Sequence, residues 1–185
     1  MSRIEPINIA AATGPVRKRL DAVQKKLGMV PNLISTLANS PVALGAYSDL
    51  SNTVSRGRLS PQLREQIALT VSQANQCAYC LAAHSAVADM LGLTRDDIKD
   101  ARLARSTDRR VEVALQLAKS LVENRGPVSD RNFSKAREAG FSDEAILEIV
   151  ANVALTTLTN YANHVAQTEV DFPPAQPLGE LEAAV

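Results

Sequence analysis

Proline, glycine and small hydroxyl residues cut this chain into short apolar segments, and most cuts read as the start or stop of a helix. Ser60-Pro61 is an N-cap followed by a proline in the first turn, where its missing N–H is not needed. Pro15 opens a segment over 15–27 that Gly28 stops. Pro31 and Pro41 bracket a short helical piece holding Leu33, Ile34 and Leu37, and a further helix over 42–54 ends near Gly57. After Ser60-Pro61 the apolar positions Leu63, Ile67, Leu69 and Val71 continue to a break at Asn75-Gln76. The next helix is expected over 77–91 with Gly92 as its cap, and Thr94-Arg95-Asp96-Asp97 begins another, with Asp in place of the usual capping-box Glu. Helices follow over 109–123, 130–139 and 143–165, separated by Gly126-Pro127 and Gly140. Thr156, Thr157 and Thr159 lower helix propensity in the last one, where a kink or a change of helix is expected.

No segment alternates as a strand does, so the fold class is all-α. Aromatic residues are only 3% of the chain and tryptophan is absent, while alanine and leucine fill the apolar runs, which suits close helix packing. One helical domain is expected over 1–170. Residues 171–185, with Pro173, Pro174 and Pro177, form an extended arm, loose or laid over a neighbouring subunit. Tyr47, Tyr161 and Phe133 read as core or interface aromatics, and Met29 and Met90 as packing residues.

Twenty basic and twenty acidic residues balance, which argues against binding a nucleic-acid backbone. Arg17, Lys18, Arg19, Lys25 and Lys26 read as one solvated helix face. No apolar run approaches the ~20 residues of a membrane span, and Met1 to Pro6 do not form a signal peptide. The expected compartment is the cytoplasm, where a lone pair of cysteines is reactive more often than structural.

Those two cysteines are Cys77 and Cys80, in Cys77-Ala78-Tyr79-Cys80-Leu81-Ala82-Ala83-His84. On a helix, Cys77 and Cys80 share a face, as do Cys80 and His84. Glu65 stands twelve residues earlier on an apolar helix face, where a carboxylate is expensive to bury without a partner. A thiolate reduces a peroxide by attacking one oxygen and becoming a sulfenic acid, which a second thiol converts to a disulfide. A helix N-terminus favours Cys77 as the thiolate, and a neighbouring histidine favours Cys80. Spacing alone leaves the attacker open. Glu65 can polarise His84 or Tyr79 if the two helices cross. Tyr79 lies about 200° around the helix from Cys77, on the flank of such a relay. Zinc bound by Cys77, Cys80 and His84 with Glu65 as a fourth ligand is chemically possible, but no second CxxC or paired histidine supports it, and no metal or cofactor is expected.

Glu65, Cys77 and Cys80 repeat their mutual spacing in Glu148, Asn160 and Asn163, which suggests a decayed internal duplication. Asn160 and Asn163 read as hydrogen-bonders between helices, and His164 as a packed or solvent-facing side chain.

Glu65, the Cys77-Ala78-Tyr79-Cys80 unit and His84 resemble the active-site pattern of the carboxymuconolactone decarboxylase superfamily, nearest its AhpD-like alkylhydroperoxidase branch. The core of the likeness covers 60–92. Pro31-Asn32-Leu33, Leu37-Ala38-Asn39-Ser40-Pro41 and Asn160-Tyr161-Ala162-Asn163 resemble the peroxidase-related members. The resemblance implies an all-helical homo-oligomer, a trimer or hexamer. It implies reduction of small hydroperoxides with Cys80 attacking, Cys77 resolving, Glu65 and His84 relaying protons, and an external dithiol or thiol as reductant. Tyr79 stands where the best described relay has a histidine, and a phenol titrating near 10 is a poor base at neutral pH, though it still donates a hydrogen bond. The decarboxylase members need no dithiol. Two alternatives remain: a small-acid lyase or isomerase using Glu65 and His84, and a non-enzymatic redox-sensing helical assembly.

Overall fold

A computed structural model describes residues 1–178. Among them lie a 3-10 turn at Ile9–Ala11, nine α-helices and no strand. The helices are α1 (Gly14–Leu27), α2 (Asn32–Leu37), α3 (Pro41–Val54), α4 (Pro61–Ala74), α5 (Ala78–Met90), α6 (Arg95–Arg102), α7 (Arg109–Glu123), α8 (Asp130–Glu138) and α9 (Asp143–Ala166).

The helix starts follow from local chemistry. Ser40, Ser60, Ser129 and Ser142 each accept the N–H three residues on, satisfying one donor the helix leaves unpaired. Each such cap is worth roughly 0.5–2 kcal/mol. Thr94 and Asp97 form the expected capping box in both directions. The exception is α9, which runs unbroken through Thr156, Thr157 and Thr159 where a change of helix was expected. Thr156 and Thr159 are buried, and the Thr159 hydroxyl donates to the Thr156 carbonyl at 2.8 Å, so tertiary burial overrides weak propensity.

Helix α4 is the centre of the molecule and packs against α5, α6, α7 and α9. Its run from Gln66 to Ser72 is buried, with Ile67, Leu69 and Val71 fully so. Around it Leu115, Phe141 and Ile149 complete the larger core. A second core gathers α1, α2 and α3 on Leu20, Leu33, Ile34 and Leu44, together with Cys77, Tyr79 and Cys80. The cysteine segment therefore belongs to the smaller core, next to α9. Glu65, Cys77 and Cys80 are divided between α4, a turn and α5, whereas Glu148, Asn160 and Asn163 lie on α9 alone.

By length and composition α9 could cross a membrane, with a mean hydropathy of 1.2, beyond what the apolar runs of the sequence suggested. Of its most apolar window 44% is buried inside the protein, and that inner face carries Asn152, Asn160 and Asn163 as well as Ile149 and Val153, the pattern of a core helix. Its outer face exposes Leu147, Val150, Leu158, Tyr161 and Val165. Met90 is also exposed rather than packed, at 82%. The basic face of α1 is partly neutralised, since Arg17 pairs with Asp21 and Arg19 with Asp49.

Residues 171–178 lie over this chain itself. Asp171 accepts from Asn32 N–H at 2.8 Å and from the Tyr79 hydroxyl at 2.7 Å, and Phe172 packs edge-on to Tyr79. Arg102 donates to the Gln176 carbonyl at 2.5 Å, and Ala175 rests on the larger core. Residues 179–185 of the expected arm lie outside the described residues.

The entry to α4 depends on a contact from α9. The Glu148 carboxylate accepts from Arg58 N–H at 2.8 and 3.0 Å and from Leu59 N–H at 3.1 Å. A Cβ on Gly57 would stand 2.6 Å from Glu148 Oε2, so only glycine admits the carboxylate there. Glu148→Ala is expected to lower stability by about 1–2 kcal/mol, and Gly57→Ala by a similar amount. In the Glu148→Ala background the Gly57→Ala penalty should shrink, because the clash is gone. Urea denaturation of the two single variants and the double variant measures this coupling.

Candidate active site

The site begins at the break between α4 and α5. Gln76 adopts a left-handed conformation with φ 55°, and Cys77 N–H donates to the Ser72 carbonyl at 2.9 Å, which reverses the chain in three residues. Helix α9 clamps this turn. Asn75 Nδ2 donates to Asn160 Oδ1 at 2.9 Å, and His164 Nε2–H donates to the Asn75 carbonyl at 2.8 Å. Asn160 Nδ2 also donates to Ser72 Oγ at 3.2 Å. His164 thus has a positioning contact in place of simple packing.

Cys77 is the N-cap of α5 and not its first residue, and its sulfur accepts from Cys80 N–H at 3.4 Å. Cys80 sits in the first turn, where the unpaired N–H groups of the helix favour negative charge. Both cysteines are reduced and each is 2% exposed. Asn163 Nδ2 donates to Cys80 Sγ at 3.2 Å. The Cys80 thiol is pulled down to about 6, chiefly because the Cys77 thiol donates to it, against the opposing effect of burial. The charge of His84 and the amides of Asn163 and Asn160 add to the lowering. Cys77 is pushed up in return, first by the proton it shares with Cys80 and then by burial and by the charge on Cys80. The two shifts belong to one shared proton, and their direction favours the thiolate on Cys80.

His84 follows Cys80 by one turn. Its Nδ1–H donates to Glu65 Oε2 at 2.7 Å, joining α5 to α4, and the two side chains are 26% and 20% exposed. Burial alone would lower the His84 pKa, but the charge and hydrogen bond of Glu65, with a smaller contribution from Cys80, raise it overall. The expense of a carboxylate on the apolar face of α4 is met by this histidine. With Nδ1 held by Glu65, Nε2 is the ring nitrogen left for proton exchange.

Cys80, His84 and Glu65 line one cavity of about 490 Å³, together with Tyr47, Tyr79 and Phe172. Cys77 does not line it. The Tyr79 hydroxyl accepts from Leu33 N–H at 3.1 Å and donates to Asp171 at 2.7 Å, so it is tied to α2 and to the C-terminal segment and bonds neither cysteine nor His84. Burial raises the pKa of Tyr79 further, as it does that of Tyr47. Among the described residues no three His, Cys, Asp or Glu side chains are grouped to hold a metal ion.

Four of the five expected residues thus meet as one linked set, and the fifth, Tyr79, acts as an anchor beside them. Asn163 was visible as a repeat partner of Cys80 and as a hydrogen-bonder between helices, but nothing local indicated that its amide reaches the sulfur. Asp171 and Phe172 had no sequence signal beyond their place before Pro173-Pro174.

The model of the carboxymuconolactone decarboxylase family matches residues 41–123. An uncharacterised peroxidase-related protein with an AhpD core from Ralstonia eutropha is 30% identical, with 92% of each chain covered and a TM-score of 0.82. A second peroxidase-related protein, from a Silicibacter species, is 25% identical over 93% of this chain and 92% of its own, with a TM-score of 0.77. The debrominase Bmp8 in complex with 2,3,4-tribromopyrrole shares the fold, with a TM-score of 0.79 at 19% identity over 100% of this chain and 97% of its own. No curated protein matches the sequence. The chain belongs to the carboxymuconolactone decarboxylase family, among its AhpD-like, peroxidase-related members.

Proposed function

We propose that the protein is a thiol-dependent peroxidase that cycles Cys77 and Cys80 between dithiol and disulfide. The observation that carries this reading is the asymmetry of the pair: Cys80 lines the cavity, meets Asn163 and has its pKa lowered, whereas Cys77 does not line it and is pushed the other way. The Cys80 thiolate attacks the terminal oxygen of a hydroperoxide. The O–O bond breaks, an S–OH forms, and the departing alkoxide takes a proton from the His84 imidazolium to leave as an alcohol. Cys77 then attacks the sulfenic sulfur. An S–S bond forms, and the hydroxide leaves with the Cys77 proton as water. An external dithiol or thiol returns the disulfide to the reduced pair by exchange. Glu65 keeps His84 cationic and oriented, and no cofactor or metal takes part.

The Glu65–His84 pair also suits the small-acid lyase reading, because a carboxylate and an imidazole in one cavity can move a proton on a carbon acid. The two readings separate on the cysteines. Peroxide consumption with a dithiol reductant should fall to background in Cys80→Ser. In Cys77→Ser a single oxidation should occur, leaving a dimedone-reactive Cys80. Activity on a small acid that survives loss of both cysteines would favour the lyase.

The pH dependence follows from the site. A lowered Cys80 pKa means that thiolate is present above about 6 and is lost below it. Alkylation of Cys80 by iodoacetamide should be nearly flat at neutral pH and fall about tenfold per pH unit below the transition. In His84→Ala the transition should move up by about one pH unit, because a favourable charge is removed. Mass-spectrometric mapping of the alkylated residue across pH reads both.

The homo-oligomer implied by the family resemblance is supported by the outer face of α9. Leu147, Val150, Leu158, Tyr161 and Val165 are exposed along it, and the neighbouring acids are engaged, exposed Glu144 with the Arg58 side chain and half-buried Glu148 with the Arg58 and Leu59 N–H groups. A second copy of this chain is the partner proposed for that face. Light scattering should give a multimer for the wild type and a folded monomer for Tyr161→Glu with Val165→Glu.

A further inference from the structure

Asn163 reaches Cys80 from across the structure, and one end of its amide is unspent. Its N–H donates to Cys80 Sγ at 3.2 Å, and the same amide acts on the Cys77 thiol as a donor. Its Oδ1 is buried and has no hydrogen-bond partner among the described residues. Asn160, one turn earlier on α9, provides the contrast. Its carbonyl accepts from Asn75 and its N–H donates to Ser72, so both ends of that amide are satisfied within the fold. A buried amide carbonyl without a donor destabilises the state in which it is unpaired, and a state that supplies a donor is favoured relative to it.

The chemistry of Cys80 supplies it. The thiolate only accepts hydrogen bonds. Once an oxygen is transferred, the sulfenic acid carries an O–H that must donate. Oδ1 belongs to the same amide whose N–H meets Sγ, so the unpaired acceptor lies one amide width from the atom that bonds the sulfur to which oxygen is added. We propose that Asn163 is a positioning residue for both oxidation states of Cys80, its N–H holding the thiolate before attack and its carbonyl accepting the sulfenic O–H afterwards. This rests on the peroxidase reading above. The step balances as Cys80 thiolate, hydroperoxide and one proton from His84 giving Cys80 sulfenic acid and an alcohol.

Asn163→Ala and Asn163→Asp test the two halves separately. In the reduced protein, iodoacetamide alkylation of Cys80 below its transition should slow about tenfold in both variants, since neither offers the N–H. In the Cys77→Ser background, cumene hydroperoxide followed by dimedone trapping reads the sulfenic acid. Its lifetime should shorten about tenfold in Asn163→Ala and stay near that of the parent in Asn163→Asp, which keeps an acceptor. If Asn163→Asp does not fold, Asn163→Ser, whose hydroxyl also accepts, replaces it. An alkylation profile unmoved in both variants overturns the thiolate role. Sulfenic-acid lifetimes that are unchanged, or that fall equally in the two variants, overturn the acceptor role. If the parent forms no sulfenic acid, the peroxidase reading fails and the acceptor role fails with it, whereas the alkylation profile still decides the thiolate role.

Discussion

A helix that ends inside a protein leaves carbonyls and N–H groups that need partners, and the break between α4 and α5 meets that requirement only because α9 lies against it. Asn75 is held through its side chain by Asn160 and through its carbonyl by His164, while Ser72 supplies the carbonyl that turns the chain at Cys77. The turn sets Cys77 as the cap of α5 and so brings Cys80 into its first turn. The rest of the site depends on this junction. Without it the cysteines would stand on a continuous helix, with no unpaired N–H groups to favour a thiolate.

The electrostatics of the site are a chain of mutual compensations. Glu65 would be costly on the inner side of α4 if left alone, and His84 offsets that cost. His84 in turn would lose its proton on burial, and Glu65 returns it. The resulting positive charge lies one helical turn from Cys80 and favours a thiolate there, while the Cys77 thiol is pushed the other way. Each group is unfavourable by itself and tolerated as a member of the set. Single removals at such a site therefore act on several residues at once.

Tyr79 shows how a residue between two reactive positions can serve the scaffold. It points into the smaller core and bonds Leu33 and Asp171, so the C-terminal segment is attached to the CxxC unit itself. Phe172 follows and forms part of the cavity wall. The polar residues that act on the sulfurs thus come from α9 and from α5 itself, with Glu65 of α4 behind His84, and part of the cavity wall comes from a segment far along the chain.

How much of this was legible depends on distance along the sequence. Helix starts at Ser60 and Thr94 were readable because a cap bonds three residues away, and the residue types Glu65, Cys77, Cys80 and His84 at their spacings named the chemistry. The assignment of roles was not readable. Cys77 and Cys80 are equivalent on an ideal helix, and only the break before Cys77, the cavity beside Cys80 and the amide of Asn163 make them different. The unbroken passage of α9 through its threonines likewise depended on burial against α4. The sequence by itself determined that the chain would be helical, where most helices begin, and which side chains could react, since these rest on local bonding and intrinsic chemistry. Tertiary structure alone decided which sulfur opens onto the cavity and which distant amide it meets. Asn163 and Cys80 stand 83 residues apart, and only packing brings them into contact.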